Sequence, residues 1–308
     1  MLRGGRCILL KIGDIIRMNR IERNISQEDL SFGICSPSNL SRIENNEQIP
    51  SRTKYENFME RMGLSTLIFP SFRSEREVKL YQLKHNINQL FIENKYTEAE
   101  KLLQAMKKLS SSEEVDKIFI EYVDVLLMKR KNETPHKILE TLIKLTQKSI
   151  RDINPEKISN QVLSKLDLNM LNNLSLIYYD TGYNDLGIDL LYSLVEYIER
   201  KIVDYKGISP LYTGVLHNLT NWVGLKGDHI EVIKLCDIGI KRCIEYNAYS
   251  SFAELKFNKG YALIMLGDKK GARKYIQEAF FINRARGEMN ICEIIKKFAF
   301  EQNINLGD

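Results

Sequence analysis

Three asparagines, Asn173, Asn218 and Asn258, each stand nine residues ahead of a glycine: Gly182, Gly227 and Gly267. Asparagine is a mediocre helix former, so its return at an equivalent place calls for a reason other than helix stability. An amide offers both donor and acceptor, and a row of amides on one wall can satisfy the main chain of an extended peptide whatever its side chains. Helical spacing places Asn169 and Tyr179, Asn221, and Glu254 and Tyr261 on that same wall. A second set lies near the N-terminus, where Ser36, Ser38, Asn39 and Arg42 fall on the outward side of a short helix. Small polar side chains with one arginine suit base edges in a major groove, arginine preferring guanine. The sequence holds none of the usual catalytic or metal patterns. Its five cysteines (Cys7, Cys35, Cys236, Cys243, Cys292) form no CxxC pair, its four histidines (His85, His136, His217, His229) no HExxH, and neither GxxxxGK[ST] nor GxGxxG occurs. Reduced thiols, no metal, no cofactor and no enzymatic activity are the expectation.

The elements that position these residues are helical. Apolar residues recur at three- and four-residue spacing along nearly the whole chain, and period-two alternation is hard to find. Four of the six prolines follow a capping residue, in Ser36-Pro37, Thr134-Pro135, Asn154-Pro155 and Ser209-Pro210, which marks helix starts. Pro50 and Pro70 sit where helices should end. The segment Leu67–Ser74 breaks the periodicity and predicts a domain boundary. With 308 residues, 44% apolar, 28% charged and a net charge of +5, the chain is neither disordered nor a coiled coil. The small positive excess hints weakly at an anionic partner. The N-terminal apolar core of four residues is too short for a signal peptide. The longest stretch without charge, Gly207–Leu225, is too polar for a membrane span. A cytoplasmic protein without membrane contact is expected.

In the first domain Ile12, Ile15 and Ile16 share one helix face, and that helix should stop near Asn24. Ser26 caps a second helix, with Asp29 in capping-box position. Gly33-Ile34-Cys35 makes a tight turn, and Ser36-Pro37 opens a third helix whose Leu40 and Ile43 point inward. Two short helices joined by a glycine-containing turn form the helix-turn-helix pattern. The run Ser26-Gln27-Glu28-Asp29-Leu30, followed by Ile34-Cys35-Ser36-Pro37-Ser38-Asn39-Leu40-Ser41-Arg42-Ile43-Glu44-Asn45, resembles the Xre/Cro-type DNA-binding domain. The wording around Ile34-Cys35 and Ser41-Arg42-Ile43-Glu44 is especially similar to the PlcR and Rgg regulators. The resemblance implies that Gln27 bonds a phosphate and braces the recognition helix, and that Arg20 pairs with Glu44 as a structural link. Pro37 departs from the family, which often carries there a polar side chain able to reach DNA. The DNA-facing set on this reading is Gln27, Ser36, Pro37, Ser38, Asn39, Arg42 and Asn45. Residues 1–62 hold ten Lys/Arg against eight Asp/Glu, so the head is not strongly basic.

The rest of the chain repeats itself. Five residues after each of the three glycines comes a modest side chain or glycine (Gly187, Val232, Ala272), and twelve after come Leu194, Gly239 and Ala279. A helix, a glycine turn and a second helix with small crossing residues make an α-hairpin that resembles the tetratricopeptide (TPR) repeat. The asparagine spacings of 45 and 40 exceed the usual TPR length, which predicts longer helices or connections. Upstream, Leu80–Leu109 should turn at Asn94-Lys95-Tyr96, and Val115–Ser149 at Lys131-Asn132-Glu133. Ile150–Ser164 reads as an extended connection and Glu288–Glu301 as a capping helix. In TPR proteins and the PlcR/Rgg group, asparagines at the ladder positions hold peptide ligands. The resemblance extends that role to this chain, and exposed ladder asparagines should contribute little to folding of the free protein. Lys129-Arg130-Lys131 reads as a solvated helix end and Trp222 as core. Cys236 and Cys243 are too far apart along one helix to pair.

The expected architecture is therefore all-α: an N-terminal helix-turn-helix domain (1–66), a linker (67–78), and an α-superhelix of about five TPR-like hairpins and a capping helix (79–308) for peptide binding and dimerisation. This order of parts resembles the peptide-pheromone regulators of Gram-positive bacteria known by the initials of Rap, Rgg, NprR, PlcR and PrgX. The resemblance implies a quorum-sensing transcription regulator, with a double-stranded DNA operator, a short signalling oligopeptide and a second copy of the chain as partners. Two other readings stay open: a Rap-like antagonist of a protein target, and a TPR adaptor with a vestigial head.

Overall fold

The structure, a computed structural model, describes residues 11–64, 74–109, 113–201 and 208–307. The N-terminal apolar core, Cys7, Pro70, Gly207 and most of the expected boundary at Leu67–Ser74 lie outside the described residues. Sixteen helices and no strand are found among the described residues. The chain is all-α. It divides into two compact units, helices α1–α10 and helices α11–α16.

The first unit opens with α1 (Ile12–Glu22), α2 (Gln27–Ser31), α3 (Pro37–Glu44) and α4 (Arg52–Arg61). Local chemistry sets their ends. Ser26, Ser36 and Ser51 accept hydrogen bonds from the backbone N–H groups of Asp29, Asn39 and Lys54, three residues into their helices. Asn24 and Asn46 take the left-handed conformation that stops α1 and α3. Ile16, Leu30, Leu40, Ile43 and Phe58 are fully buried and form the core of this head.

The same unit continues with α5 (Glu75–Ile92), α6 (Tyr96–Leu109), α7 (Glu114–Arg130), α8 (Pro135–Thr146), a one-turn α9 (Pro155–Ile158) and α10 (Lys165–Asp180). Of the expected linker, Glu75–Val78 form the first turn of α5. The connection expected to be extended over Ile150–Ser164 instead contains α9, because Asn154 caps it and Pro155 opens it. The expected turns at Asn94 and Asn132 are present, each asparagine in the left-handed region.

Head and repeats share a core in this unit. Val115 of α7 joins the head's buried cluster, and Lys54 pairs with Glu113 at 2.7 Å. Arg61 and Asp167 form an ion pair at 3.2 Å with both side chains only 2% exposed. The Arg61 guanidinium also donates to the carbonyls of Leu30 (3.3 Å), Phe32 and Ser149 (3.0 Å). Asp167 in turn accepts from the backbone N–H and the hydroxyl of Ser164, closing the N-cap of α10. Next to it, Glu60 accepts from the Lys165 N–H at 3.0 Å.

The second unit comprises α11 (Asn184–Lys201), α12 (Ser209–Leu225), α13 (His229–Tyr246), α14 (Phe252–Met265), α15 (Lys269–Ala285) and α16 (Met289–Glu301). Ser209 was expected to cap α12 but lies inside it; Ile208 takes the cap position without a side-chain bond. The turns after α10, α12 and α14 fall at Gly182, Gly227 and Gly267, with φ of +87°, +86° and +88°. Small residues stand where neighbouring helices cross: a Cβ on Gly239 would lie 2.7 Å from Leu255, and Ala272 and Ala279 are fully buried. Helices of 17 and 18 residues in α12 and α13 account for the long repeat.

Gly33 tests the docking of head on repeats. Its φ is +68°, and an added Cβ would lie 2.6 Å from Ser149 Cα and 2.9 Å from the Lys148 carbonyl, both backbone. Gly227 also has positive φ but faces open space. The conformational strain of alanine is about 1–3 kcal/mol at either site. Urea unfolding should therefore show Gly33→Ala as clearly more destabilising than Gly227→Ala; equal losses would mean that the head does not rest on the Ser149 segment.

Candidate functional site

Helix α3, the second helix around the Gly33 turn, is held from behind by charge. Arg20 of α1 grips Glu44 of α3 through two bonds of 2.6 and 2.8 Å, and its remaining nitrogen donates to the Ile25 carbonyl at 2.9 Å. Glu44 is 2% exposed, so its charge is neutralised inside the head. The carboxylate also accepts from the Gln27 amide at 2.7 Å, tying the start of α2 to the end of α3. Gln27 thus joins α2 to α3, and Arg20 joins α1 to α3 through Glu44.

The outward face of α3 is open. Ser36, Pro37, Ser38, Arg42 and Asn45 are exposed. Among the described residues Arg42 pairs with Glu47 at 3.9 Å, both side chains more than half exposed, a weak tether in water. Asn39 differs from the expectation. It is half-buried, its amide donates to Gln48 at 2.8 Å, and its oxygen accepts from Lys54 at 3.4 Å. It therefore enters the site as a spacer between α3 and α4, with its hydrogen bonds already committed. Burial pushes the Cys35 thiol up to about 11, so this turn residue stays protonated.

The ladder asparagines are not idle. In the first unit the Asn173 amide donates to the Tyr122 hydroxyl at 2.7 Å and to the Asn169 carbonyl at 3.0 Å. Tyr122 is buried on α7, the first helix of the preceding repeat, and burial drives its phenol far up. Asn169 donates to Lys165 of its own helix, and Tyr179 is half-buried further along α10. In the second unit Asn258 of α14 donates to the Thr220 hydroxyl at 2.9 Å and to the side-chain Oδ1 of Asn221 at 2.7 Å, both on α12. Asn221 contacts His217 at 3.1 Å. In both units a ladder asparagine reaches back to the first helix of the repeat before it. The expectation that these side chains contribute little to folding is corrected on this point, because the partners they satisfy are largely buried.

Around the second-unit network, Glu254 lies one turn before Asn258 on α14. Its Oε2 is buried without a hydrogen bond, 3.8 Å from Arg286. Tyr261, one turn after Asn258, packs on Phe298 with ring centroids 5.5 Å apart and on His229 at 6.1 Å. Asn218 is half-buried on α12. Residues that sequence reading missed are Tyr122, His217, Thr220 and Phe298. Only His217 left a signal, being four residues before Asn221 on one helix face.

The other motifs resolve into structure. Lys129, Arg130 and Lys131 bind Asp180, the Tyr96 ring and Glu100 within the first unit. Trp222 is 9% exposed and belongs to the core. Cys236 and Cys243 are buried free thiols. Among the described residues no His/Cys/Asp/Glu group could hold a metal ion, and no helix is long and apolar enough to cross a membrane.

Two outcomes follow from this geometry. Asn173→Ala and Asn258→Ala should each lower the free protein's unfolding free energy by about 1–3 kcal/mol, because Tyr122 and Thr220 lose a buried partner. Urea titration checks this, and wild-type stability in both would show the amide bonds to be incidental. His217 gives a pH signature. Burial lowers its pKa below the ordinary 6.5, against an opposing pull from Glu254. The unfolded chain then takes up a proton first, so stability should hold above about pH 6.5 and fall as pH drops toward the folded value. Thermal melts of His217→Gln should lose that part of the acid dependence.

Residues 16–69 match the family model described as Helix-turn-helix. No curated protein sequence is significantly similar to the chain. Among solved structures, PlcR of Bacillus thuringiensis in complex with the peptide PapR7 and DNA superposes with a TM-score of 0.59 at 20% identity, over 92% of this chain and 98% of that one. ComR of S. thermophilus, in complex with DNA and its signalling peptide ComS, gives 0.52 at 16% identity, over 95% and 100%. The apo form of the competence regulator ComR from Streptococcus vestibularis gives 0.53 at 14%, over 96% and 98%. The chain carries an Xre-type helix-turn-helix domain followed by TPR-like repeats, in the fold of PlcR and ComR.

Proposed function

We propose that this protein is a sequence-specific DNA-binding transcription regulator controlled by a short signalling oligopeptide, a quorum-sensing receptor that works in the cytoplasm as a homodimer. The observation that carries the DNA half is the face of α3. Its inner side is locked by Arg20, Glu44 and Gln27, while Ser38, Arg42 and Asn45 are left exposed. A rigid helix with a free arginine and small polar neighbours is what base readout requires. Ser36 and Pro37 at its N-terminus lie on the same exposed end. Gln27 contributes to the backbone contacts, which position the head without reading sequence.

The peptide half rests on the ladder. Asn173 and Asn258 are anchored through their Nδ2 groups, which leaves each Oδ1 to accept from a peptide N–H. Asn169 and Tyr179 on the first unit, and Asn218, Asn221, Glu254 and Tyr261 on the second, complete the contacts we assign. PlcR and ComR, which share the fold, were each solved with both a peptide and DNA, and this supports the pairing of the two ligands. Peptide control then requires different affinities for two arrangements of the repeats.

The test begins by selecting duplexes from a randomised pool with the full-length protein. Arg42→Ala should weaken binding to the selected duplex by about 1–3 kcal/mol and relax preference at one base position. Gln27→Ala should weaken binding to all duplexes alike and reduce the salt dependence. Unaltered affinity and preference in Arg42→Ala would overturn the placement of α3 in the groove, and failure to enrich any duplex would favour an adaptor with a vestigial head.

A further inference from the structure

One guanidinium in the first unit joins three segments that are distant in sequence. Arg61, at the end of α4, bonds the carbonyls that close α2, at Leu30 and Phe32. Its other nitrogen bonds the Ser149 carbonyl and the Asp167 carboxylate. The α2 carbonyls lead directly into the turn that starts the recognition helix. Asp167 belongs to the capping box of α10, the helix that bears Asn169 and Asn173. Glu60 seizes the same helix end through the Lys165 N–H.

We propose that Arg61, with Glu60, is a positioning device that makes α10 and the DNA-binding head move as one body, so that events at the asparagines of α10 are felt at α3. The proposal rests on the reading of α3 as the DNA-binding helix and of α10 as part of the peptide site. Its physical basis is the cost of separating the pair. Both charges are buried, so a head that tilted away from α10 would strand Arg61 and Asp167 without partners. A tilt of α10 that keeps these bonds must carry the end of α2 with it. The middle of α10 is also fixed, because Asn173 ties it to Tyr122 of α7, and the first turn of α7 supplies Val115 to the head core. Sliding α10 against α7 therefore strains the seat of the head at two places.

Coupling is reciprocal, so DNA at α3 must be felt at α10. This allows a test that needs no knowledge of the peptide. The probe is a duplex enriched from a randomised pool by the full-length protein, and the readout is backbone hydrogen exchange over 165–180 by mass spectrometry. Saturating duplex should slow exchange near the start of α10 in the wild type by at least about fivefold. The double variant Arg61→Met/Asp167→Asn removes both buried charges together, which avoids leaving either one alone. It should bind the duplex, melt cooperatively and show no slowing at α10. Glu60→Gln keeps an acceptor for Lys165 and should behave as wild type. Bound duplex without slowing in the wild type, or slowing retained in the double variant, overturns the inference while leaving DNA binding intact. If no duplex is enriched, the regulator reading itself fails and the inference falls with it.

Discussion

A buried arginine is expensive, and the first unit is built around one. Arg61 loses nearly all its water, and so does Asp167. Burial on that scale is tolerated only where most donors find oxygens, and here both terminal nitrogens find them at three segments, while Nε is buried without one among the described residues. Helix ends supply those oxygens readily, since the last carbonyls of a helix have no partner within it. The closing turn of α2 thus becomes part of the arginine's solvation. The first turn of α10 supplies the opposite charge in Asp167, already oriented by the N-cap Ser164. The arrangement has little freedom, because moving any one segment leaves a desolvated charge elsewhere.

The recognition helix depends on a smaller version of the same device. Glu44 is buried on the inner side of α3 and is satisfied by Arg20 and Gln27 from two other helices. An eight-residue helix would not be stable alone in water. Leu40 and Ile43 supply its apolar hold, and the Glu44 network fixes its rotation. Rotation decides which side chains face outward. Asn39 shows how fine this is: one position away from Ser38, it is turned toward Gln48 and Lys54 and leaves the exposed face.

In the repeats, one residue type serves two ends. An asparagine that donates to the preceding repeat fixes the spacing between two first helices, and its carbonyl oxygen keeps a second capacity. The stability of the array and its proposed recognition of a peptide are then not separable by mutating that residue alone. Around Asn258 the supporting groups are themselves side chains of α12, so the network has a defined geometry before any ligand arrives. Pre-organisation of this kind lowers the cost of ordering a site on binding.

Much of this was legible in the sequence. Capping side chains and prolines at first helical positions are local signals, and they marked the starts of α2, α3, α8 and α9 because capping is decided within four residues. The two helices around Gly33 followed from Ser26, Ser36 and Pro37, and the Arg20–Glu44 pairing was what the family resemblance implied. Three of the hairpin turns followed from glycines that take positive φ, and the two upstream ones from Asn94 and Asn132. Where local signals conflicted the reading slipped, as with the extended connection expected around the helix start at Asn154-Pro155 and the cap before Pro210. The contacts of Arg61 were out of reach, since its anionic partner lies 106 residues away and nothing in the run Met59-Glu60-Arg61-Met62 marks it. The same holds for Tyr122 beneath Asn173 and for Asn39 turned aside. The sequence by itself determined the helices, their order and the polar side chains available to act. Tertiary packing decided which of those side chains are already bound, because desolvation and hydrogen-bond geometry depend on neighbours that only the folded chain brings together.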